Sequence, residues 1–232
     1  MAKSNGMAIK ARLKKPLFEY ALEEIQRKII TLEFEPGQPL DEKRISTLLG
    51  IGRTPIREAL LKLSSSLMVQ LTPNRGFVVK PITLQGTKSA LDALKSLEFT
   101  VCEMIVKYDN SSLIEQMRTA QNSFVESFEN RSTLQMVNAN YNFHMIFDQG
   151  SRNEFLVHAL QQVRLETMRL DYLNFGPKID IDKGNNLFFA NFIEDHERFI
   201  KELEDENEEG LKSTITNHIE RYYKRIMSYL MK

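Results

Sequence analysis

After Pro81 the chain holds no segment in which apolar and polar residues alternate, while apolar residues recur at helical spacing to its end. A half-buried strand needs period two and an amphipathic helix period 3.6, so residues 83–232 can bury their apolar side chains only by packing helix on helix. Six helices are predicted, at about 84–107, 111–129, 132–149, 153–174, 186–204 and 208–231. The breaks fall at DNSS, GSRN, FGPKIDIDKGNN and DENEEG. Each is rich in residues that compete with helix through side-chain hydrogen bonds or backbone freedom.

Residues 15–82 follow a different plan. Leu17, Ala21, Leu22, Ile25 and Ile29 mark a first amphipathic helix, which EPGQP ends. DEKRISTLLG gives a short helix with Ile45, Leu48 and Leu49 expected on one face and Gly50 at its C-cap. GRTPIREALLKLSSSL restarts a helix in which Ile56, Ala59, Leu60 and Leu63 face inward, with Pro55 tolerated in the first turn. VQLT and FVVK are β-prone runs joined by the turn-forming PNRG, which predicts a two-stranded hairpin. Two short helices about a Gly-containing turn, followed by a hairpin, describe a winged helix-turn-helix. The expected fold is therefore mainly α: a flexible basic tail at 1–14, a winged helix-turn-helix at 15–82, and an all-α helical bundle at 83–232.

The net charge is zero, but its distribution is uneven. Residues 1–82 carry 14 Lys plus Arg against 8 Asp plus Glu, and residues 83–232 carry 17 against 23. A basic front half suits a polyanion, because phosphate contacts draw on local charge. The single cysteine, Cys102, excludes an intrachain disulfide and fits a reducing cytoplasm. No apolar run is long enough for a membrane span, and MAKSNGMAIKARLKK lacks the apolar core of a secretory signal.

In a helix-turn-helix, residues near the N-terminus of the second helix reach base edges. Arg53 and Arg57 stand one turn apart there, and arginine is the side chain best shaped to hold guanine bidentately. Thr54 beside them suits a phosphate or a thymine methyl. Taken alone, an RxxxR pair is also ordinary helix surface. The wider pattern is more specific: PG at 36 and 37, Leu40, RTPIREAL from Arg53 to Leu60, Leu63, Leu67 and PNRG at 73 to 76. Residues 29–79 thereby resemble the winged-helix domain of the GntR family of transcription factors. That resemblance implies DNA contacts in the major groove or to its phosphates from Lys43, Arg53 and Arg57. It also implies a wing tip at Arg75 and Gly76 that enters the minor groove. Gly52 stands where the family usually has serine, and Ser65 and Ser66 stand where it has an acidic residue and glycine.

Of four histidines, His144, His196 and His218 fall on three different predicted helices, and Asn140 lies one turn before His144. Residues four apart share a helix face, so Asn140 and His144 can converge with imidazoles from two further helices. Spacing alone favours three unrelated surface or hydrogen-bonded histidines, because helical histidines without a sequential motif are weak evidence. The order of elements, however, resembles the helical effector domain of the FadR-like branch of the GntR family in its six-helix form. NYNFHMIFDQGSRN, EDHERF and NHIE occupy the three histidine positions. The resemblance implies a divalent metal such as Zn or Ni held by Asn140, His144, His196 and His218. The first ligand there is usually Asp and sometimes Asn. An amide in place of that carboxylate leaves a more positive centre, which favours a small carboxylate metabolite as effector. Arg164 and Arg169, on the following helix, and Lys95, where this domain often has Arg, are candidates for its far end. His158 matches no ligand position.

The expected function is a sequence-specific DNA-binding transcription regulator under effector control, acting as a homodimer on a palindromic operator. Two alternatives stand beside it. A metal-dependent enzyme fused to a DNA-binding module lacks an HExxH motif and a facial-triad carboxylate. An effector-independent DNA binder would be insensitive to metabolites.

Overall fold

The computed structural model describes residues 15–176 and 186–231. The tail expected at 1–14 and residues 177–185 of the long loop lie outside these. Among the described residues there are nine helices and three strands, divided between Ile82 and Thr83 into two compact units. None of these helices is long and apolar enough to cross a membrane.

The first unit runs α1 (Leu17–Ile30), β1 (Pro39–Leu40), α2 (Glu42–Leu49), α3 (Arg53–Ser65), β2 (Val69–Thr72) and β3 (Gly76–Val79). Ala21, Ile25 and Ile29 form one buried stripe of α1, which packs against α3. On α3 the four expected residues, Ile56, Ala59, Leu60 and Leu63, are buried. Helix α2 starts where Asp41 accepts from Arg44 N and stops at Gly50, whose φ of 68° a side chain would strain. Leu48 departs from expectation at 57% exposure. Ile45 and Leu49 are four apart and set the inner face; at 100° per residue Leu48 is turned to its edge.

The wing is a three-stranded sheet in the order β1-β3-β2, not the two-stranded hairpin predicted. Gly37 N donates to Val79 O and Val79 N to Gln38 O, both at 2.9 Å, and these bonds draw Pro39 and Leu40 alongside β3. Two residues are too few to show alternation, so the sequence carried no signal for β1. Its proline is tolerated at the sheet edge. At the end of α3, Ser66 keeps a negative φ and the left-handed position falls on Leu67, with φ 60°.

The second unit contains α4 (Leu84–Ile105), α5 (Ser111–Glu129), α6 (Thr133–Gln149), α7 (Glu154–Phe175), α8 (Asn186–Glu204) and α9 (Glu208–Leu230). Thr83, Asn153 and Asn207 cap α4, α7 and α9 by accepting from backbone N–H groups. Neighbouring helices pack in a closed circuit, α4 on α7, α7 on α6, α6 on α5, α5 on α8, α8 on α9, and α9 back on α4. Helix α6 has six consecutive buried residues, Phe143 to Asp148, because it is covered on nearly all sides. Polar groups carried inward by this helix must find partners within the bundle.

Candidate functional site

In the first unit Lys43, Arg53, Thr54, Arg57, Arg75 and Gly76 are all exposed. Arg53 and Arg57 share the outward face of α3, opposite its apolar stripe. Arg57 Nη1 lies 3.6 Å from Glu42 Oε1 of α2, a loose surface pair that DNA phosphates can outcompete. Beyond β2, Thr72 pairs with Gly76 across the three-residue loop Pro73, Asn74 and Arg75. Asn74 and Gly76 both have positive φ, and Arg75 N donates to Thr72 O, so the Arg75 side chain is carried at an ordered tip.

In the second unit His144 of α6, His196 of α8 and His218 of α9 meet in the interior. Their ring centroids lie 5.2, 5.3 and 5.6 Å apart, and one nitrogen from each lies within 4.8 Å of the others. Two nitrogens on one tetrahedral ion are about 3.3 Å apart, so modest ring rotation closes the cluster onto a metal.

The surroundings select the tautomers. Gln121 Nε2 on α5 donates to Ile193 O at 3.3 Å, which turns Gln121 Oε1 toward His196 Nδ1 at 2.7 Å. His196 Nδ1 therefore carries the proton, and Nε2 is left buried with no hydrogen-bond partner. His218 Nδ1 faces Asp195 Oδ2 at 3.2 Å; a carboxylate only accepts, so Nδ1 again carries the proton. Such outer partners orient ligating imidazoles and raise their basicity. Asp195 is held in turn by Arg221. His144 Nδ1 is buried without a partner, 3.7 Å from Glu98 Oε1. Burial, then the positive charge of Arg164, hold His144 well below the ordinary imidazole value; burial does the same to His196. Both rings are thus neutral and able to ligate. Phe143 stacks on His196 with centroids 4.0 Å apart, and Phe192 and Phe199 complete an apolar wall.

A small cavity of about 30 Å³ opens beside the cluster, lined by Asn140, His144 and His218 with Glu98, Arg164, Asp171 and Tyr222. Asn140 Nδ2 donates to Asp171 Oδ2 at 3.2 Å, while Asn140 Oδ1 is buried with no partner. Burial pushes the Asp171 carboxyl up to about 6, against hydrogen bonds from Tyr222 and Asn140. Arg164 grips Asp148 with Nε and Nη2, at 2.5 and 2.8 Å, and Glu98 with Nη2 at 2.6 Å. Burial raises both carboxyls and Arg164 opposes it. Asn140 Oδ1 and His144 Nδ1 are orphaned beside the cavity and His196 Nε2 is orphaned within the histidine cluster; oxygen and imidazole nitrogen of this kind are what imidazole-binding divalent ions use, so the cluster could hold a metal.

Several expectations need correction. Arg164 and Arg169, the candidates for the far end of the effector, are both buried. Arg164 lines the cavity, but its guanidinium fork is already engaged by two carboxylates, and Arg169 does not line the cavity. Lys95 lies over the Phe99 ring and lines a separate groove between α4 and α9 with Lys88, Tyr223 and Lys224. The centre is not left short of negative charge by Asn140, because Asp171 stands directly behind the amide. Asp195 adjoins His196 in sequence but serves His218 on the next helix. His158 is on the surface. The missed residues are Glu98, Gln121, Asp148, Asp171, Asp195 and Tyr222. Asp148 had a signal: Asn140, His144 and Asp148 form a polar row every four residues along an otherwise apolar helix. Gln121 and Glu98 had none, since each is a lone polar residue in an amphipathic pattern.

Comparison with known proteins places these units. Residues 18–79 match the model of bacterial regulatory proteins, gntR family, and residues 89–221, more than half of the chain, match the FCD domain. The HTH-type transcriptional repressor RspR of Escherichia coli K12 is 22% identical over 65% of this chain, and the match spans 66% of that protein, just under two thirds. An uncharacterized HTH-type transcriptional regulator of Bacillus subtilis, YdhC, is 20% identical over 88% of each chain. Among solved structures, E. coli McbR/YncC superimposes with a TM-score of 0.78 over 93% of this chain and 99% of its own, at 17% identity. A putative GntR regulator from Rhodococcus sp. RHA1 gives 0.72 over 91% and 97%, also at 17%. At these identities the structural likeness is one of fold. The basic winged helix-turn-helix, the six-helix bundle and both family matches lead to one assignment: the chain belongs to the GntR family of bacterial regulatory proteins and carries an FCD domain.

Proposed function

We propose that this regulator binds a palindromic operator as a homodimer and is controlled by a small organic acid that reaches a divalent ion held by Asn140, His144, His196 and His218. Arg53 and Arg57 read guanine in the major groove, Thr54 and Lys43 hold phosphate, and Arg75 with Gly76 enters the minor groove. One winged helix covers a half-site, and two-fold protein symmetry matches a two-fold operator.

The observation that carries the metal is the pair of neutral imidazoles whose outer nitrogens or surroundings leave ligating atoms unpartnered beside Asn140 Oδ1. With a divalent ion in place, that ion and Arg164 offset Glu98, Asp148 and Asp171, so the site is close to neutral. Net charge therefore does not attract the acid; inner-sphere bonding to an open metal position does. A cavity of about 30 Å³ has room for about one water, so an effector of several atoms must part the helices around it. That displacement supplies the difference between two states which an effector needs in order to alter DNA binding.

The test is binding of the chain to its own upstream DNA, with metabolites of the neighbouring genes added, for wild type, His144→Ala, His196→Ala and His218→Ala. Release of operator by one acid in wild type alone is expected. Four metal-free proteins that respond identically would refute the metal and effector reading.

A further inference from the structure

Asn140 presents an amide where a carboxylate would balance the charge of a bound cation, and the structure puts a carboxylate immediately behind it. Asp171 Oδ2 accepts from Asn140 Nδ2 at 3.2 Å. An amide has one donating end and one accepting end, so this bond fixes which way the group faces. The end turned away from Asp171 is Oδ1, which is buried and has no partner. Asp171 shares the cavity wall with Tyr222. All three residues line the same cavity as His144 and His218. We infer that Asp171 is a positioning residue of the metal centre, acting through Asn140 to aim the amide oxygen at the ion and to supply the missing negative charge.

The physical logic is that of a carboxylate behind a ligating imidazole. Hydrogen bonding polarises the amide, makes its oxygen more basic, and holds the rotamer that a free asparagine would sample only part of the time. The two-residue unit, amide in front and carboxylate behind, thus does what a single ligating aspartate would do. It also gives a sharp expectation: the two groups are exchangeable. Aspartate at 140 with asparagine at 171 keeps the hydrogen bond, the buried charge and the shape, while moving the carboxylate onto the ion.

This inference rests on the metal reading proposed above, and the experiment separates the two. Zn²⁺ affinity of the full chain is measured by competition with a chromophoric chelator, beside the melting temperature of the metal-free protein, for wild type, Asn140→Ala, Asp171→Asn and Asn140→Asp/Asp171→Asn. Asp171→Asn is expected to weaken Zn²⁺ by about 10- to 100-fold, and the exchanged pair to return it to within about threefold of wild type. A purely structural Asp171 would lower the melting temperature of the metal-free protein and leave Zn²⁺ affinity alone, which overturns the inference. So does an exchanged pair that binds as weakly as Asn140→Ala. The exchanged pair keeps the buried hydrogen bond and remains decisive if Asp171→Asn alone fails to fold. Wild type that takes up no Zn²⁺ defeats the metal reading itself, and this inference with it.

Discussion

Arg164 is the buried cation on which the helical unit depends. Its guanidinium makes three hydrogen bonds, two to Asp148 and one to Glu98, and all three side chains are almost fully buried. Replacing it by methionine keeps much of the volume and removes the charge, leaving two carboxylates without their partner. Deleting one side of a buried ion pair costs about 3 to 5 kcal/mol. For a chain of this size each kcal/mol moves the melting temperature by about 2 to 4 °C, so Arg164→Met is expected to lose on the order of 10 °C at pH 8. The pH dependence follows with a definite sign. Glu98 and Asp148 already titrate above their ordinary values because of burial, and Arg164 is the main influence opposing that. Without it they rise further, so as pH falls toward the ordinary carboxylate range the folded variant binds protons that the unfolded chain does not. Stability relative to wild type therefore recovers as pH falls from 8 toward 5, within the window between folded and unfolded values. Denaturation followed by helicity at pH 8 and pH 5.5, each referred to wild type at the same pH, measures this. Replacing Glu98 and Asp148 by Gln and Asn in the same chain should restore most of the loss. A variant within about 1 kcal/mol of wild type, or a deficit independent of pH, would show that the network is not the buried ionic clamp described here.

Four further outcomes are expected. Arg57→Ala should reduce discrimination between operator and random DNA by about 1 to 3 kcal/mol, read by anisotropy at matched salt; an unchanged ratio would assign it to the phosphates. Leu67 holds φ 60° while 54% exposed, so Leu67→Gly should stabilise the first unit by roughly 0.5 to 1 kcal/mol in urea denaturation. Gly150→Ala places a Cβ in collision with Ile105 and should cost about 1 to 3 kcal/mol, seen as a lower denaturation midpoint. His144 and His196 stay neutral below the ordinary value of 6.5, so the unfolded chain takes up protons they refuse, and these two residues should cost metal-free wild type stability as pH falls below about 6.5, against the gain from the raised carboxyls of Asp171, Glu98 and Asp148. A His144→Asn/His196→Asn variant should lose less over that range when the two are melted in parallel.

The legible part of this molecule is the part where one residue type has one structural meaning. Gly50 at the helix turn, Pro55 in a first turn, the inward row of α3 and the PNRG tip each belong to local rules, and the structure follows them. Strand β1 was invisible because its pairing comes from backbone bonds at Gly37 and Gln38 to Val79, some forty residues away in sequence. The histidines could be gathered from their helices and the family pattern, but their partners could not. Gln121 acts on His196 and Asp195 on His218 across helix interfaces, and which rotation of each helix faces which neighbour is a property of the whole ring. The burial of Arg164 was not legible because charged side chains are seldom fully buried unless paired, and its pairing partners lie 16 and 66 residues away.

The most direct test of the account is the X-ray absorption spectrum of the Zn²⁺-loaded full chain at the zinc edge. A single ion per chain is predicted, with a first shell of nitrogen and oxygen only, at about 2.0 to 2.2 Å, and outer-shell scattering from three imidazoles. The imidazole signal should fall to two in His196→Ala. A shell containing sulfur, one with fewer than three imidazoles in wild type, or no bound zinc would contradict it.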